Sequence, residues 1–524
     1  MSRPGEKNGE VVRVDFDFRR ELARKVEGNL ASYCYQCGAC VGDCPATTYG
    51  TDFNPREIML KVLYGLGSEL LREDSVLWRC TNCYNCHERC PQDVKPVEVI
   101  ISLKNMLADR GIYPAPVAKV IETFEKTGRT VPLTPAVDRQ RERFGLPPMK
   151  EVPLDEIAAL LDHSAVNDQE EPAPAGKTSA TWAAAPAADA RRDSSAQRTP
   201  APTAAPVPAA PAATSTGTSA TSVPATVPVV PSTAPSAAKR FAFFPGCLIP
   251  ARYPAMEFAI RETLPRLGIE IVDLEGASCC PDPIYFKSKD KVSWLAVAGR
   301  NLSLAEKMGL DVMTNCSGCT ATLSETYHLL QDEALRSRVN ERLARVGREY
   351  RGKSRVRHIA TVVRDEVGYE RVRDSVVRPL EGLRVAIHYG CHLLKPSRIM
   401  QVDDPNDPTM LEKLVEALGA IPVRHRNWSL CCGKACQSDD IPSNMMRDLL
   451  KTVHQEEVDL LCLICPTCFG QFDHGQAKVA QQFQENFHTP SVYYFQLLAF
   501  AQGVPYEKLD FERSRFKPEC LRRF

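Results

Sequence analysis

The sequence has no excess of charge of either sign and no long apolar segment. Lys plus Arg and Asp plus Glu both total 65 in a chain of 524 residues. A chain balanced in this way has no overall field that attracts nucleic acid or an anionic membrane. No stretch approaches the roughly 20 consecutive apolar residues of a membrane-spanning helix. Composition therefore argues against a nucleic-acid-binding protein and against an integral membrane protein.

Two further features are missing. The first twenty residues contain no apolar core of a signal peptide, and the G-x-G-x-x-G fingerprint of a dinucleotide-binding turn does not occur. The chain nevertheless contains 21 cysteines. Cysteines grouped at ligand spacings, without an export signal, indicate a reducing compartment and metal-bound thiolates. We therefore expect a cytoplasmic metalloprotein and place any flavin on a partner.

Two copies of the motif C-x2-C-x2-C-x3-C-P lie near the N-terminus. They comprise Cys34, Cys37, Cys40 and Cys44, then Cys80, Cys83, Cys86 and Cys90. This spacing is typical of cubane 4Fe–4S sites in which the fourth cysteine binds the other cluster. We therefore expect one cluster on Cys34, Cys37, Cys40 and Cys90, and a second on Cys80, Cys83, Cys86 and Cys44. Zinc is the alternative, but zinc favours two separated cysteine pairs, so the region is predicted to carry electrons.

Composition divides the chain into domains. Residues 172–238 are mostly Ala, Pro, Thr and Ser and include twelve prolines, which predicts a disordered tether. Before it, Asn54-Pro55 and residues 96–110 predict two helices of an α-helical ferredoxin domain. The predicted boundaries are an N-terminal extension over 1–20, the ferredoxin domain over 21–150, the linker over 151–238, two further domains over 239–378 and 379–505, and a tail over 506–524.

The chain after the linker repeats itself. Each copy has a lone cysteine, an adjacent cysteine pair and a C-x-x-C, in that order. The first copy has Cys247, Cys279, Cys280, Cys316 and Cys319, and the second has Cys391, Cys431, Cys432, Cys465 and Cys468. The lone cysteines are 144 residues apart, and the C-x-x-C pairs are 149 apart. Two matched sets of five indicate a duplicated domain with a shared chemistry.

Each cysteine group follows a short apolar run, and helix-like stretches lie between the runs. Strands alternating with helices predict an α/β domain with a parallel sheet. In such sheets ligands bind beyond the carboxyl ends of the strands, which is where these cysteines stand. Each C-x-x-C also opens a predicted helix, whose free N–H groups favour an anionic ligand. Alone, each pair could equally be a redox disulfide or half of a zinc site.

Several segments carry a family resemblance to heterodisulfide reductase. The duplicated half resembles the cysteine-rich (CCG) domain pair of the B-subunit of that enzyme. The segments CYQCGACVGDCP, FNPREI and WRCTNCYNCHERCP resemble its two-cluster ferredoxin, the C-subunit. The resemblance implies that each five-cysteine set named above holds a noncubane 4Fe–4S cluster. Pro281 departs from the family pattern, which has glycine after the cysteine pair.

The resemblance implies an oxidoreductase that acts on a sulfur group within a complex. Two cubane clusters would take electrons from a flavin-containing partner, like the A-subunit of the family, and pass them to two noncubane clusters that cleave a disulfide substrate. Similar CCG pairs occur in the electron-transfer subunits of glycolate and glycerol-3-phosphate dehydrogenases, which pass electrons towards quinone, and this is the alternative function. A scaffold with one set unfilled is a third possibility.

Other candidate residues lie beside the second lone cysteine. His388 and His392 flank Cys391 and are candidate proton donors, although a packing role is the more common one for a histidine. Lys395 and Arg398 are candidates for attracting an anionic substrate. Cys436, Cys462 and Cys520 fall outside the repeat and are expected to be buried or incidental thiols.

Overall fold

The computed structural model describes residues 14–162 and 239–524. The predicted N-terminal extension lies mostly outside these residues, as does the predicted linker from residue 163 onward. Residues 154–161 of that predicted linker form a helix instead, with Ile157 and Leu160 fully buried. The N-terminal domain therefore extends past its predicted end at residue 150.

The N-terminal region is helical, as the sequence predicts. Asn54 caps its fourth helix by accepting hydrogen bonds from the amides of Arg56 and Glu57 at 3.0 and 3.2 Å. The predicted helix over 96–110 is present as Pro96–Asp109. The α-helices are α1 Phe18–Ala23, α2 Ala39–Gly42, α3 Pro45–Tyr49, α4 Pro55–Leu63, α5 Gly67–Leu70, α6 Asn85–Glu88, α7 Pro96–Asp109, α8 Ala115–Thr127, α9 Pro135–Arg143 and α10 Leu154–Leu161.

The first repeat is a four-stranded parallel sheet covered by helices. Its strands are β1 Lys239–Phe244, β2 Ile269–Asp273, β3 Val312–Thr314 and β4 Val356–His358, in the order β2-β1-β3-β4. Its helices are α11 Leu248–Arg252, α12 Pro254–Arg266, α13 Tyr285–Lys289, α14 Lys291–Met308, α15 Ser317–Leu329, α16 Glu333–Ala344, α17 Ile359–Val362 and α18 Tyr369–Asp374.

The second repeat has the same topology, which confirms the predicted duplication of a parallel α/β domain. Its strands are β5 Arg384–His388, β6 Ile421–Val423, β7 Leu460–Leu463 and β8 Ser491–Tyr493, in the order β6-β5-β7-β8. Its helices are α19 Cys391–Leu394, α20 Ser397–Met400, α21 Met410–Glu416, α22 Asp440–His454, α23 Pro466–Phe483 and α24 Tyr494–Ala501. The central strands are largely buried and apolar, as expected for parallel sheets covered on both faces.

The cores connect the three parts of the chain. One continuous core joins the N-terminal helices to the first repeat, through side chains such as Val99 and Leu103 of α7 and Trp294 and Leu295 of α14. A second core joins the two repeats to each other. Residues 506–524, predicted to be a tail, bury Tyr506, Leu509, Phe511 and Leu521 in that core through three short 3-10 helices. The carboxyl ends of both sheets are held in fixed positions against the N-terminal region.

Candidate functional site

One cavity of about 430 Å³ collects all ten cysteines of the repeats. Its cysteine lining is Cys247, Cys279, Cys280, Cys316, Cys319, Cys391, Cys431, Cys432, Cys465 and Cys468. The N-terminal region closes part of the wall with Thr81, Lys119, Val120, Thr130 and Val131. The cavity lies where the carboxyl ends of the two parallel sheets meet, the usual ligand position in such folds.

The C-x-x-C pairs lie at helix N-termini in both repeats. Cys316 occupies the N-cap of α15 and Cys465 that of α23, and each is followed within the first turn by the second cysteine of its pair. The amide of Cys319 donates towards the Cys316 sulfur, and the amides of Thr467 and Cys468 donate towards that of Cys465. Free N–H groups and the helix dipole both stabilise negative charge here.

A glycine makes room for sulfur in each repeat. Gly246 has φ +71° and Gly390 has φ +78°, and each directly precedes the lone cysteine of its repeat. A Cβ atom at Gly246 would lie 2.9 Å from the Cys319 sulfur, and one at Gly390 would lie 3.1 Å from the Cys468 sulfur. The two matched positions need glycine for its backbone conformation and for its lack of a side chain.

Within each set the sulfurs lie close together. The Cys247 and Cys279 sulfurs are 3.4 Å apart, and those of Cys391 and Cys431 are 3.7 Å apart. The two sets also adjoin, because the sulfurs of Cys316 and Cys465 are close enough to shift each other's pKa across the repeats. The cavity is therefore bounded by two adjoining sulfur sets rather than by two separate sites.

The second member of each adjacent pair is the more acidic thiol. Hydrogen bonds from Cys279 and Cys319 lower the pKa of Cys280. Hydrogen bonds from Cys431 and Cys468 likewise hold the pKa of Cys432 well below the ordinary value for a thiol. The pKa of the second thiol of the pair is lowered in both repeats.

The turn after the cysteine pair differs between the repeats. Gly433 follows the second pair with φ +80°. Proline cannot adopt a positive φ, so Pro281 gives the first repeat a different turn. There, the hydroxyl of Thr322 donates to the carbonyl oxygen of Pro281 at 3.0 Å. Both cysteine pairs still line the cavity.

In the N-terminal region, the structure brings Cys44 to the second motif. Cys44 lines a small apolar cavity together with Cys80, Cys83 and Cys86. Cys40 instead lies among Cys34, Cys37 and Cys90, and burial together with these neighbours raises its pKa to about 11. The fourth cysteine of each motif is thus exchanged between two groups of four.

The backbone follows the same path through both motifs. Gln36 and Gly38 have φ +64° and +84°, and the corresponding Asn82 and Tyr84 have φ +49° and +64°. A positive φ is unusual for a side chain as large as tyrosine. Such strain is retained where the surrounding structure needs it, which supports a functional role for this loop.

No cysteine set among the described residues has the spacing of a tetrahedral zinc site. Tetrahedral zinc with Zn–S bonds of about 2.3 Å would place its sulfurs about 3.8 Å apart. Across residues 14–162 and 239–524, no three cysteine sulfurs lie mutually within 4.8 Å. Soft, largely buried all-sulfur donor sets suit iron–sulfur clusters. Both kinds of site therefore have the residues that 4Fe–4S groups need.

The second motif lies directly against the second repeat. Cys83 packs in one buried cluster with Cys391, Cys431 and Cys436. The amide of Gln437 donates to the carbonyl oxygen of Trp78 at 3.0 Å. Electron transfer between the two regions would therefore need only a short path.

The two candidate histidines have different surroundings. His392 lines the cavity, and its Nε2 lies 2.8 Å from the carbonyl oxygen of Asn82. His388 does not line it, since it ends β5 and packs in the core against His425 and Phe472. Burial, with His425 beside it, lowers the pKa of His388 to about 3. His388 is thus placed in the core and not at the cavity, so its position does not support a role as proton donor.

The two candidate cations near Cys391, Lys395 and Arg398, already interact with other side chains. Lys395 is buried, and its Nζ donates to the side-chain oxygen of Asn85 at 2.7 Å. Arg398 lies at the surface and pairs with Asp93 at 3.3 Å. Neither residue lines the cavity, so their positions do not support the anion-binding role considered for them. Lys119 and Lys434, which sequence reasoning missed, are exposed and do line it.

The remaining cysteines are mostly buried. Cys462 lies inside β7, and Cys520 donates to the carbonyl oxygen of Asp459. Cys436 donates to the carbonyl oxygen of Arg79 at 3.0 Å, beside the second motif. Thr130, another residue that sequence reasoning missed, contacts two of the cavity sulfurs. No spacing or motif marks it, because its position depends on how the N-terminal region packs.

Family models match both halves of the chain. A model described as "Cysteine-rich domain" matches residues 241–324 and 385–473. A model described as "4Fe-4S dicluster domain" matches residues 30–94. The matched segments are those that carry the cysteines described above.

Curated relatives cover the two halves separately. The B-subunit of the ferredoxin:CoB-CoM heterodisulfide reductase of Methanosarcina mazei is 38% identical over 281 residues, which is 52% of this chain and 93% of that protein. The C-subunit of the H(2):CoB-CoM heterodisulfide,ferredoxin reductase of Methanothermobacter marburgensis is 39% identical over 134 residues, 25% of this chain and 70% of that protein. The 8-methylmenaquinol:fumarate reductase membrane anchor subunit of Wolinella succinogenes is 32% identical over 278 residues, 53% of this chain and 96% of that protein.

Proposed function

Since this chain belongs to the heterodisulfide reductase family and joins regions homologous to the C- and B-subunits in one polypeptide, we propose that it is an iron–sulfur disulfide reductase working within a complex. The overall reaction consumes one disulfide, two electrons and two protons and releases two thiols. The observation that carries the proposal is the meeting of ten cysteines around one cavity. A protein that only transfers electrons would not need two cysteine sets that face one cavity of this size.

We assign four iron–sulfur groups to the cysteines. Two cubane 4Fe–4S clusters would be held by Cys34, Cys37, Cys40 and Cys90, and by Cys44, Cys80, Cys83 and Cys86. Two noncubane 4Fe–4S clusters would be held by the five cysteines of each repeat. When bound, these groups supply one-electron transfer and Lewis acidity towards sulfur.

The cavity fits a small-molecule disulfide. Its volume of about 430 Å³, which the proposed clusters would share with the substrate, falls in the range of small-molecule sites. Leu248, Ile249, Ile284 and Val131 offer apolar surface for the arms of the substrate. Lys119 and Lys434 would attract anionic groups at the ends of those arms. His392 is the remaining candidate proton donor among the residues that line the cavity.

Electrons would enter at the first motif. Cys37 is exposed, whereas the cysteines of the second motif are buried or half-buried. Tyr33, Tyr35 and Tyr64, in and near this region, are 66%, 57% and 61% exposed. Exposed aromatic side chains beside an accessible redox group suit a docking partner. We propose a flavin-containing protein like the A-subunit of the family as that electron donor, in the reducing cytoplasm where cluster-bound thiolates persist.

A second candidate function is electron transfer towards quinone, as in glycolate or glycerol-3-phosphate dehydrogenase complexes. The Wolinella relative, which is named for a menaquinol:fumarate reductase, favours this alternative. Within the described ranges, no helix has the length and apolar character to cross a membrane. The two functions differ in whether sulfur chemistry occurs in the cavity.

Disulfide reduction by the reconstituted full-length protein tests the proposal. A reduced viologen serves as donor, a panel of small disulfides as substrate, and released thiol is counted against viologen oxidised. We expect one disulfide per two electrons, and a loss of at least about 100-fold in Cys465→Ser. Filled clusters with no reduction of any disulfide would reject the proposal. An EPR signal that appears when a thiol is added supports disulfide reduction. Its absence from a protein with intact clusters supports the alternative, electron transfer towards quinone.

A further inference from the structure

The loop between α8 and α9 reaches across to the sulfurs of the first repeat. The amide of Cys279 donates to the carbonyl oxygen of Gly128 at 2.8 Å. The amide of Arg129 donates to the hydroxyl of Thr127 at 3.2 Å, and its guanidinium donates to the carbonyl oxygen of Lys150 at 3.0 Å. These contacts hold the loop in one position. Its next residue, Thr130, therefore has a defined place in the cavity wall.

Thr130 contacts two cysteines at once. Its hydroxyl oxygen lies 3.1 Å from the Cys247 sulfur and 3.4 Å from the Cys279 sulfur. A thiolate has no proton to give, so the hydroxyl is the donor whenever these sulfurs are ionised. Hydrogen bonds to charged acceptors are about twice as strong as neutral ones.

Arg129 adds positive charge at the same place. Its side chain is buried, and the sulfurs of Cys247 and Cys279 interact electrostatically with it. Burial lowers the pKa of Arg129, while the two sulfurs oppose that effect. An arginine remains protonated in proteins, so its charge favours extra negative charge on the first-repeat set.

The N-terminal region makes a different contact with the second repeat. Cys391 and Cys431 are the counterparts of Cys247 and Cys279. There the N-terminal region presents the carbonyl oxygen of Thr81, 3.9 Å from the Cys431 sulfur. A carbonyl oxygen repels a thiolate, whereas a hydroxyl stabilises it. The donors to the Cys431 sulfur are the amide of Gly433 at 3.4 Å and the Cys391 thiol at 3.7 Å, both from the same repeat, and no hydroxyl of the described residues forms a hydrogen bond with that sulfur.

We propose that Thr130, supported by Arg129, makes the two sulfur sets electronically unequal and gives the first-repeat cluster the higher reduction potential. The inference rests on the proposed function, since it requires both noncubane clusters. Hydrogen bonds to cluster sulfurs and nearby cations stabilise the more negative, reduced state. A cluster on the second-repeat set, whose Cys391 and Cys431 pack against Cys83, would lie nearer the N-terminal region, and a cluster on the first-repeat set would lie beyond it, past the Cys316–Cys465 contact. Thr130 is thus a positioning and tuning residue rather than a catalytic one.

An EPR-monitored redox titration of the full-length reconstituted protein, without disulfide, tests this proposal. Thr130→Val keeps the size and shape of the side chain and removes the hydroxyl. We expect one noncubane cluster to become about tenfold harder to reduce, which is about 59 mV for a one-electron couple. Thr130→Ser should restore the wild-type potential. Thr123→Val is the matched control, because the Thr123 hydroxyl bonds only within α8.

The affected signal is assigned with Cys247→Ser, which perturbs the first-repeat cluster directly. Arg129→Met is the second variant and should shift the same signal in the same direction. It keeps the proposal testable if Thr130→Val incorporates its clusters incompletely. Intact clusters with no shift in either variant would overturn this inference and leave the proposed function standing. Absence of noncubane clusters from the wild-type protein would overturn both.

Discussion

The ammonium of Lys104 donates to the side-chain oxygen of Asn82 at 3.1 Å, inside the second cysteine motif. Lys104 is 2% exposed, and no carboxylate of the described chain forms an ion pair with it. Interaction with Cys80 and Cys436 counteracts the lowering of its pKa by burial. A buried cation needs a counter-charge, which Cys80 would supply as a cluster-bound thiolate.

Lys104→Met should therefore lower the reduction potential of the cluster proposed on Cys44, Cys80, Cys83 and Cys86. The side chain keeps its length but loses the charge that stabilises the reduced state. A tenfold change in the equilibrium corresponds to about 59 mV, which an EPR titration resolves. Lys126→Met, an exposed position on α8, is the control and should leave every potential unchanged. A variant with full iron content and wild-type potentials would contradict the prediction.

Gly390→Ala should weaken cluster retention in the second repeat. The added methyl group would lie 3.1 Å from the Cys468 sulfur, in a backbone conformation (φ +78°, ψ 143°) that costs about 1–3 kcal/mol for a non-glycine residue. Gly368→Ala is a matched control, because Gly368 has a similar conformation (φ +84°, ψ 154°) and no atom within 4 Å of the added Cβ. We expect faster iron loss to a chelator in Gly390→Ala alone. Equal loss from both variants would show that only backbone strain matters.

The sequence predicts the parallel sheets and the place of the cysteines, because apolar runs followed by cysteines recur in the same order. It does not reveal β4, β6 and β8, which are each three residues long and have no distinct pattern. Nor does it show that His388 and His392 have different surroundings. Both residues lie near Cys391, but β5 ends at His388, which packs in the core, whereas His392 follows the strand and lines the cavity.

The contribution of the N-terminal region to the cavity could not be predicted either. Thr81 and Thr130 lie in loops without periodicity, and their neighbours are more than a hundred residues away along the chain. Lys395 illustrates the same limit, because its partner Asn85 belongs to another region. The spacing of cysteines along the chain identifies the candidate cluster ligands. The residues that contact those cysteines are brought there by tertiary packing, which the spacing does not show.

Lys434→Gln should raise the Michaelis constant for an anionic disulfide. The side chain is exposed at the cavity, so the lost attraction is about 0.5–1 kcal/mol, or roughly two- to fivefold. The value of kcat and the constant for a neutral disulfide should not change. Lys126→Gln is the surface control, and added salt should reduce the difference between wild type and Lys434→Gln. An equal effect on neutral and anionic substrates would reject a charge-based role.

A buried ionic network fixes the N-terminal region to the first repeat. Lys287 Nζ lies 2.9 Å from Glu98 and 2.5 Å from Glu325, and Lys291 Nζ lies 2.6 Å from Glu98 and 2.5 Å from Glu27. Burial alone would raise the pKa of Glu98, but Lys287 and Lys291 hold it well below its ordinary value. Burial alone would lower the pKa of Lys291, but Glu27 and Glu98 raise it above its ordinary value.

The network should therefore contribute stability within a defined pH window. A carboxylate with a lowered folded pKa stabilises the fold above its unfolded pKa of 4.5, and the contribution disappears as pH falls through the folded value. A lysine with a raised folded pKa stabilises the fold below its unfolded value of 10.5, and that contribution disappears as pH rises through the folded value. Between these limits the contributions of Glu98 and Lys291 should be constant. Burial raises the pKa of Glu325, so its contribution is present below pH 4.5 and is lost as pH rises through its folded pKa.

Lys287→Met should destabilise the protein at neutral pH by about 3–5 kcal/mol, because Glu98 and Glu325 lose a buried cation. Denaturant unfolding monitored by fluorescence measures this change. Lys307→Met is the control, since Lys307 is exposed at the end of α14. The triple variant Lys287→Met, Glu325→Gln, Glu98→Gln leaves fewer unpaired charges and should recover part of the loss. A Lys287→Met variant as stable as wild type would show that the ion pairs do not hold the two regions together.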